Sequence, residues 1–263
     1  MLQAFKPQIK QALGGLSHAA ARKGYVRQVL FNAMAQRSPE ITRLHELEEL
    51  RFLSHCFLDF ERSCSQILQD LWVTFETEGL QEGFFVEFGA TNGRVNSNTW
   101  LLEKQYGWSG ILAEPNPVWH ADLSRNRVCE IEHRCIAARS GERVEFVTAT
   151  DPELSTIATC AAGDHFASVR LAAPRISVET LSLNDLLAER RAPMRIDYMS
   201  VDTEGSEFEI LSAFDFDRYD VRLLSIEHNN TGAENEIEAL MESNGYVRKF
   251  PEFSQWDAWF VRA

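Results

Sequence analysis

The stretch Phe84-Phe85-Val86-Glu87-Phe88-Gly89-Ala90-Thr91-Asn92-Gly93 decides the fold. A short run, apolar at four of its five positions, ends abruptly in a turn containing two glycines. A helical stretch follows through Trp100, Leu101, Leu102 and Tyr106. Ile111-Leu112-Ala113 is then a second short apolar run, stopped by Glu114-Pro115, and residues 118–126 read as helix. Short strands alternating with helices predict βαβ units and a parallel sheet.

The same alternation continues downstream. Residues 131–138 read as one strand, and Val144-Glu145-Phe146-Val147 and Ile176-Ser177-Val178 as two more around an irregular loop. Residues 183–189 are helical, 196–201 form a strand, 206–214 a helix, 221–226 a strand and 234–243 a helix. Residues 246–250 and 256–261 close the chain as a hairpin. Upstream, residues 64–76 read as a helix. Ser38-Pro39 looks like the start of another, with Ser as N-cap and Pro at the first helical position. The expected division is a basic helical extension over 1–60 and the α/β domain over 61–263.

Composition bounds what this domain does. A chain of 263 residues with 44% apolar and 25% charged residues is long enough to bury a core and ordinary for a globular protein. Its net charge of −13 argues against a general nucleic-acid binder. The charge is uneven: residues 1–39 hold Lys6, Lys10, Arg22, Lys23, Arg27 and Arg37 without one acid, which leaves −19 on the rest. That segment is either a helix packed on the acidic domain or a contact for a membrane surface or an acidic partner. Five scattered cysteines without a Cys-x-x-Cys pair suggest neither disulfides nor zinc. With no membrane-length apolar window and no signal-peptide core, the expected location is the cytoplasm.

The chemistry falls at the strand ends, where ligands bind in open α/β sheets. The first turn has the pattern E-x-G-x-x-x-G rather than the G-x-G-x-x-G of dinucleotide enzymes. Glu87 would turn away a pyrophosphate but suits a cation, such as the aminopropyl end of S-adenosylmethionine. Gly89, Ala90, Asn92 and Gly93 would let the backbone approach that ligand. Glu114 lies 21 residues beyond Gly93 and ends a strand, the position from which a carboxylate binds a ribose diol. Asp202 and Glu204 follow the fourth main strand, and Glu227-His228-Asn229 the fifth.

Phe85-Val86-Glu87-Phe88-Gly89-Ala90, Ser97-Asn98-Thr99, Leu102-Glu103-Lys104, Gly107-Trp108-Ser109-Gly110 and Glu114-Pro115-Asn116 resemble the FkbM family of class I methyltransferases. Residues 196–207, with Asp202-Thr203-Glu204-Gly205-Ser206-Glu207, resemble that family's D-x-E-G-x-E block. Ser65-Gln66 and Gln69-Asp70 resemble its upstream S-Q-x-x-Q-D element. The resemblance runs from about Cys64 to the C-terminus and is weak over 140–175. It implies a Rossmann-like α/β fold: a mostly parallel seven-stranded sheet with a C-terminal antiparallel hairpin, preceded by helices. It further implies S-adenosylmethionine as donor and O-methylation of a sugar, glycan or glycosylated natural product. Glu87 to Gly93 and Glu114 would hold the donor, joined by Asn98, Gln66 and Asp70.

A sugar hydroxyl needs a base or a metal ion to become nucleophilic. Asp202 is the expected base, with Glu204, Glu227 and His228 completing the site. Alternatively Asp202, Glu227 and Asn229 supply the oxygen ligands that Mg²⁺ prefers. Glu207 reads as a helix cap. The competing functions are a methyltransferase-like domain that binds without catalysis and a methyltransferase acting on protein or lipid. Oligomeric assembly is compatible with either.

Overall fold

The computed structural model describes residues 48–163 and 166–263. The basic segment 1–39, the Ser38-Pro39 helix start and the 164–165 dipeptide lie outside the described residues. The chain divides into two compact units between Phe60 and Glu61. Of the first, helix α1 (Glu48–Asp59) is described; it buries Leu50, Phe52, Leu53 and Cys56 on one stripe. Among the described residues no helix is long and apolar enough to cross a membrane.

The second unit is built on a seven-stranded sheet. Its strands are β1 (Phe84–Phe88), β2 (Ser109–Ala113), β3 (Glu130–Glu132), β8 (Arg195–Val201), β9 (Asp220–Glu227), β10 (Tyr246–Lys249) and β11 (Asp257–Arg262). The order across the sheet is β10-β11-β9-β8-β1-β2-β3. All neighbours are parallel except the two pairings made by β11. A central parallel strand is covered on both faces, so it reads as a continuous apolar run; β1 shows this, with four of five residues buried.

Helices cover the sheet: α2 (Gln69–Glu76), α3 (Trp100–Tyr106), α4 (Pro117–Asn126), α6 (Leu183–Glu189), α7 (Glu207–Ser212) and α8 (Ala233–Ser243). One core layer joins Val86, Ile111, Met199 and Leu224 to Leu187, Leu211 and Met241. Trp72 on α2 stacks on Trp259 of β11 with ring centroids 5.1 Å apart and meets Tyr198 edge-on.

A second sheet of four strands has the order β4-β7-β5-β6, from β4 (Cys135–Ala137), β5 (Arg143–Val147), β6 (Thr156–Ile157) and β7 (Arg175–Ser182). The short helix α5 (Ala167–Arg170) lies between β6 and β7, and a further turn, α9 (Pro251–Ser254), between β10 and β11.

Two expectations need correction. Residues 131–138 are not one strand. The Glu132 carboxylate accepts from the backbone N–H groups of His133 and Arg134, at 3.0 and 2.9 Å. This turns the chain and sends β3 and β4 into different sheets. The helix expected from Cys64 begins only at Gln69. The Asp70 carboxylate gathers Ser63, Cys64 and Ser65 around itself, and Ser65 forms a parallel bridge with Asn96.

Candidate active site

The turn after β1 is shaped by the protein around it. Gly89 has φ +70°, and a β-carbon there would come to 2.1 Å from the Asp202 carbonyl oxygen. One on Gly93 would strike Leu123 and Arg127, both at 2.6 Å. Ala90 is buried. The Asn92 Oδ1 accepts from the N–H groups of Arg94 and Val95 and folds the turn back on itself. The close approach that demands glycine at 89 is thus to the neighbouring strand's backbone.

Glu114 directly follows β2, is 4% exposed and bridges the two turns. One oxygen accepts from the Thr91 N–H at 2.9 Å, the other from the Asn116 N–H at 2.7 Å. Burial pushes its pKa up to about 7 against these two donors.

Glu87 points inward. Its carboxylate accepts from the Asn98 N–H at 2.8 Å and from the hydroxyls of Ser97 and Thr99, and lies 3.5 Å from the Arg127 guanidinium. Arg127 is itself buried and pairs with Glu103 at 2.6 Å. Glu87 is thereby committed to the segment that enters α3, and its contacts do not turn it to a ligand cation as expected. Asp70 is likewise a structural anchor: it is fully buried among the 63–65 backbone and two serine hydroxyls. Gln66 is half-buried beside the Ser65–Asn96 bridge. Asn98 differs from these. Its Nδ2 donates to Ser200 Oγ on β8 at 2.9 Å, while its buried Oδ1 accepts no hydrogen bond among the described residues.

The acids at the ends of β8 and β9 converge. One oxygen each of Asp202, Glu204 and Glu227 lies within 4.8 Å of the other two. Among the described residues no N–H or O–H donates to the buried Glu227 Oε2; this carboxyl faces Asp202 instead. Burial, and then the neighbouring acids, raise both groups well above the ordinary carboxylate range. Asp257, the first residue of β11, stands opposite Glu227 in the ladder. It accepts from Gln69 Nε2 at 2.9 Å, and burial lifts it to about 7. Glu204 has φ +61° and pairs with the buried Arg170 at 2.6 Å. Glu207 caps the turn, accepting from the Thr203 N–H at 2.7 Å and the Gly205 N–H at 3.1 Å.

His228 does not join this cluster. Its Nδ1 accepts from the Asn230 N–H, and its Nε2 lies 3.8 Å from Glu234 on α8. Burial lowers its pKa, which leaves a neutral ring turned toward the helix. Asn229 is at the cluster's edge, with its Nδ2 3.5 Å from Glu204.

Sequence reasoning missed Asp257, Arg127 and Arg170. An acid opening an otherwise apolar C-terminal strand was a signal for Asp257; for the two arginines the sequence offers none, because their partners are far away in the chain.

The profile of the methyltransferase FkbM domain matches residues 87–248, well over half the chain. No curated protein sequence matches it significantly. Similar solved structures include a TehB-like SAM-dependent methyltransferase from Corynebacterium glutamicum, at 7% identity, covering 74% of this chain and 88% of that one, with a TM-score of 0.38. Precorrin-6y C5,15-methyltransferase from Geobacter metallireducens is 13% identical over 72% of this chain and 84% of that one, at 0.36. The CurJ carbon methyltransferase is 10% identical over 98% and 70%, at 0.41. From the matched profile and the strand order together, the chain belongs to the FkbM family of methyltransferases and has the Rossmann-like fold of class I.

Proposed function

We propose that this protein transfers the methyl group of S-adenosylmethionine to a hydroxyl oxygen of a sugar, glycan or glycosylated natural product. The observation that carries the reading is the convergence of Asp202, Glu204 and Glu227 on one point beside the glycine turn. Glu114 at the end of β2 would hold the ribose diol, as strand-end acids do in nucleotide-binding sheets. The donor would then run across the β1 turn, Gly89 to Gly93, toward β8. The unpaired Oδ1 of Asn98 is an acceptor suited to the donor's ammonium group, the role Glu87 does not fill.

In the transfer, the acceptor oxygen bonds to the methyl carbon as the carbon–sulfur bond breaks. S-adenosylhomocysteine leaves as a neutral thioether and the hydroxyl proton must go elsewhere. Alignment supplies much of the barrier reduction. Asp202 would take the proton; burial and the neighbouring acids raise its pKa, which makes its carboxylate a stronger base than an ordinary one, and Glu227 opposite can share the proton.

The same three carboxylates fit Mg²⁺ as oxygen donors. The absence of a donor to Glu227 Oε2 agrees with this, and Arg170 on Glu204 supplies a competing positive charge. A bound Mg²⁺ would lower the pKa of the acceptor hydroxyl.

Calorimetric titration of S-adenosylmethionine into the wild type and Glu114→Ala tests the donor site. Micromolar binding lost in the variant is expected; a folded wild type that binds nothing would overturn the reading. Turnover on a panel of sugars, with EDTA and with Mg²⁺ restored, then tests acceptor class and metal dependence.

A further inference from the structure

The segment 151–160, within the insertion between β5 and β7, crosses the strand ends that the proposed donor would occupy. It is held at three places. Glu153 Oε2 accepts from Asn96 Nδ2, beyond the β1 turn, at 3.1 Å. Ser155 Oγ accepts from Asn116 Nδ2, beyond β2, at 3.1 Å. Thr156 Oγ1 donates to the Glu204 carbonyl, beyond β8, at 2.9 Å, and Cys160 Sγ follows onto the Gly205 carbonyl at 3.3 Å. Arg170 ties these together: its Nε donates to the Leu154 carbonyl at 2.7 Å while its Nη2 reaches Glu204.

Side-chain bonds to the three strand ends make up this attachment together with a short backbone ladder, in which β6 (Thr156–Ile157) pairs with β5. Each side-chain bond is weak singly, because its partners return to water when it breaks. Over 151–155, where side-chain bonds rather than the ladder hold it, the segment opens locally at low cost, as binding loops must, and the β6 ladder is its fixed end. Arg170 is the exception: it is 1% exposed, and burying a guanidinium requires that it stay paired.

We infer that residues 151–160 are a strap that closes over the bound donor, and that Ser155, Thr156 and Arg170 are positioning residues that fasten it. This rests on the donor reading above. The strap retains the donor and screens the sulfonium from water, while Arg170 joins its closed form to the acid whose backbone it touches.

The test uses S-adenosylhomocysteine as probe on the full chain. Hydrogen exchange at 151–160 should slow when it binds the wild type. Its dissociation rate should rise roughly fivefold in Ser155→Ala and in Thr156→Val, the effect of one lost hydrogen bond of average strength. Arg170→Gln should raise it further, with partial rescue in Arg170→Lys. If Arg170→Gln fails to fold, Ser155→Ala carries the test. Binding with unchanged exchange over 151–160 and a wild-type dissociation rate in Ser155→Ala would overturn the strap alone. No binding to the folded wild type would overturn the donor reading and the strap with it.

Discussion

The carbonyl oxygen of Asp202 fills the space that a β-carbon on Gly89 would need, 2.1 Å from its ideal position. Two strand ends that carry the site's chemistry are thus in backbone contact, and neither can shift without the other. Gly89→Ala should therefore cost more than the ~1 kcal/mol of a positive φ alone, since backbone has to move; more than about 2 kcal/mol is expected. Gly141→Ala is the control: its φ is +79° but no atom lies within 4 Å of the added carbon. Urea unfolding of both variants checks the difference, and equal losses would mean that the contact is soft.

Stability should fall as pH rises from about 5 to 7. Glu114 goes from an ordinary 4.5 to about 7 on folding, and Asp257 from 3.8 to about 7. In that window the folded chain holds protons that the unfolded chain has released, so each rise in pH favours unfolding. The stability is fully present below the unfolded values and lost as pH passes the folded ones. For Glu114 the loss is on the order of 3 kcal/mol at most. Glu103 and Glu132, held at about 2 by their arginines, act only below the window. Urea midpoints at pH 5 and 7 should converge in Glu114→Gln and in Asp257→Asn.

Arg127→Met should be among the costliest single changes in the domain. It would leave Glu87 buried without its cation and Glu103 with Lys104 alone. Breaking a buried pair from one side costs about 3–5 kcal/mol. Adding Glu103→Gln to Arg127→Met should recover part of this, as a double-mutant cycle by chemical denaturation would show.

Asp202→Asn should lower turnover by about 10² or more, the usual contribution of a general base, with S-adenosylhomocysteine affinity nearly unchanged. His228→Asn should cost less than about tenfold, because an Asn oxygen can replace Nδ1 as acceptor for the Asn230 N–H. Steady-state rates and calorimetry on the two variants separate the roles. A collapse of turnover in His228→Asn would return the histidine to the catalytic group.

Much of the fold was legible because its signals are local. The five-residue run Phe84 to Phe88 reads as a buried parallel strand, and residues 183–189 and 195–201 lie within a residue of their expected bounds. Where the reading failed, one carboxylate had captured backbone N–H groups: Glu132 broke a strand and Asp70 delayed a helix. Such captures depend on a side chain's orientation, which periodicity does not carry.

The sequence by itself determined the alternation of strands and helices, the glycine turn after the first strand and the placing of acids at strand ends, since each follows from residues close together in the chain. Only the tertiary structure decided what those acids do. Glu87 is spent on Arg127 and the 97–99 segment, Asp70 on its own loop, and His228 on the Asn230 backbone beside α8, whereas Asp202, Glu204 and Glu227 face one another with Asp257 alongside. The physical reason is that a buried carboxylate's charge and reach are set by the groups packed around it, and those arrive from strands and loops distant in the chain.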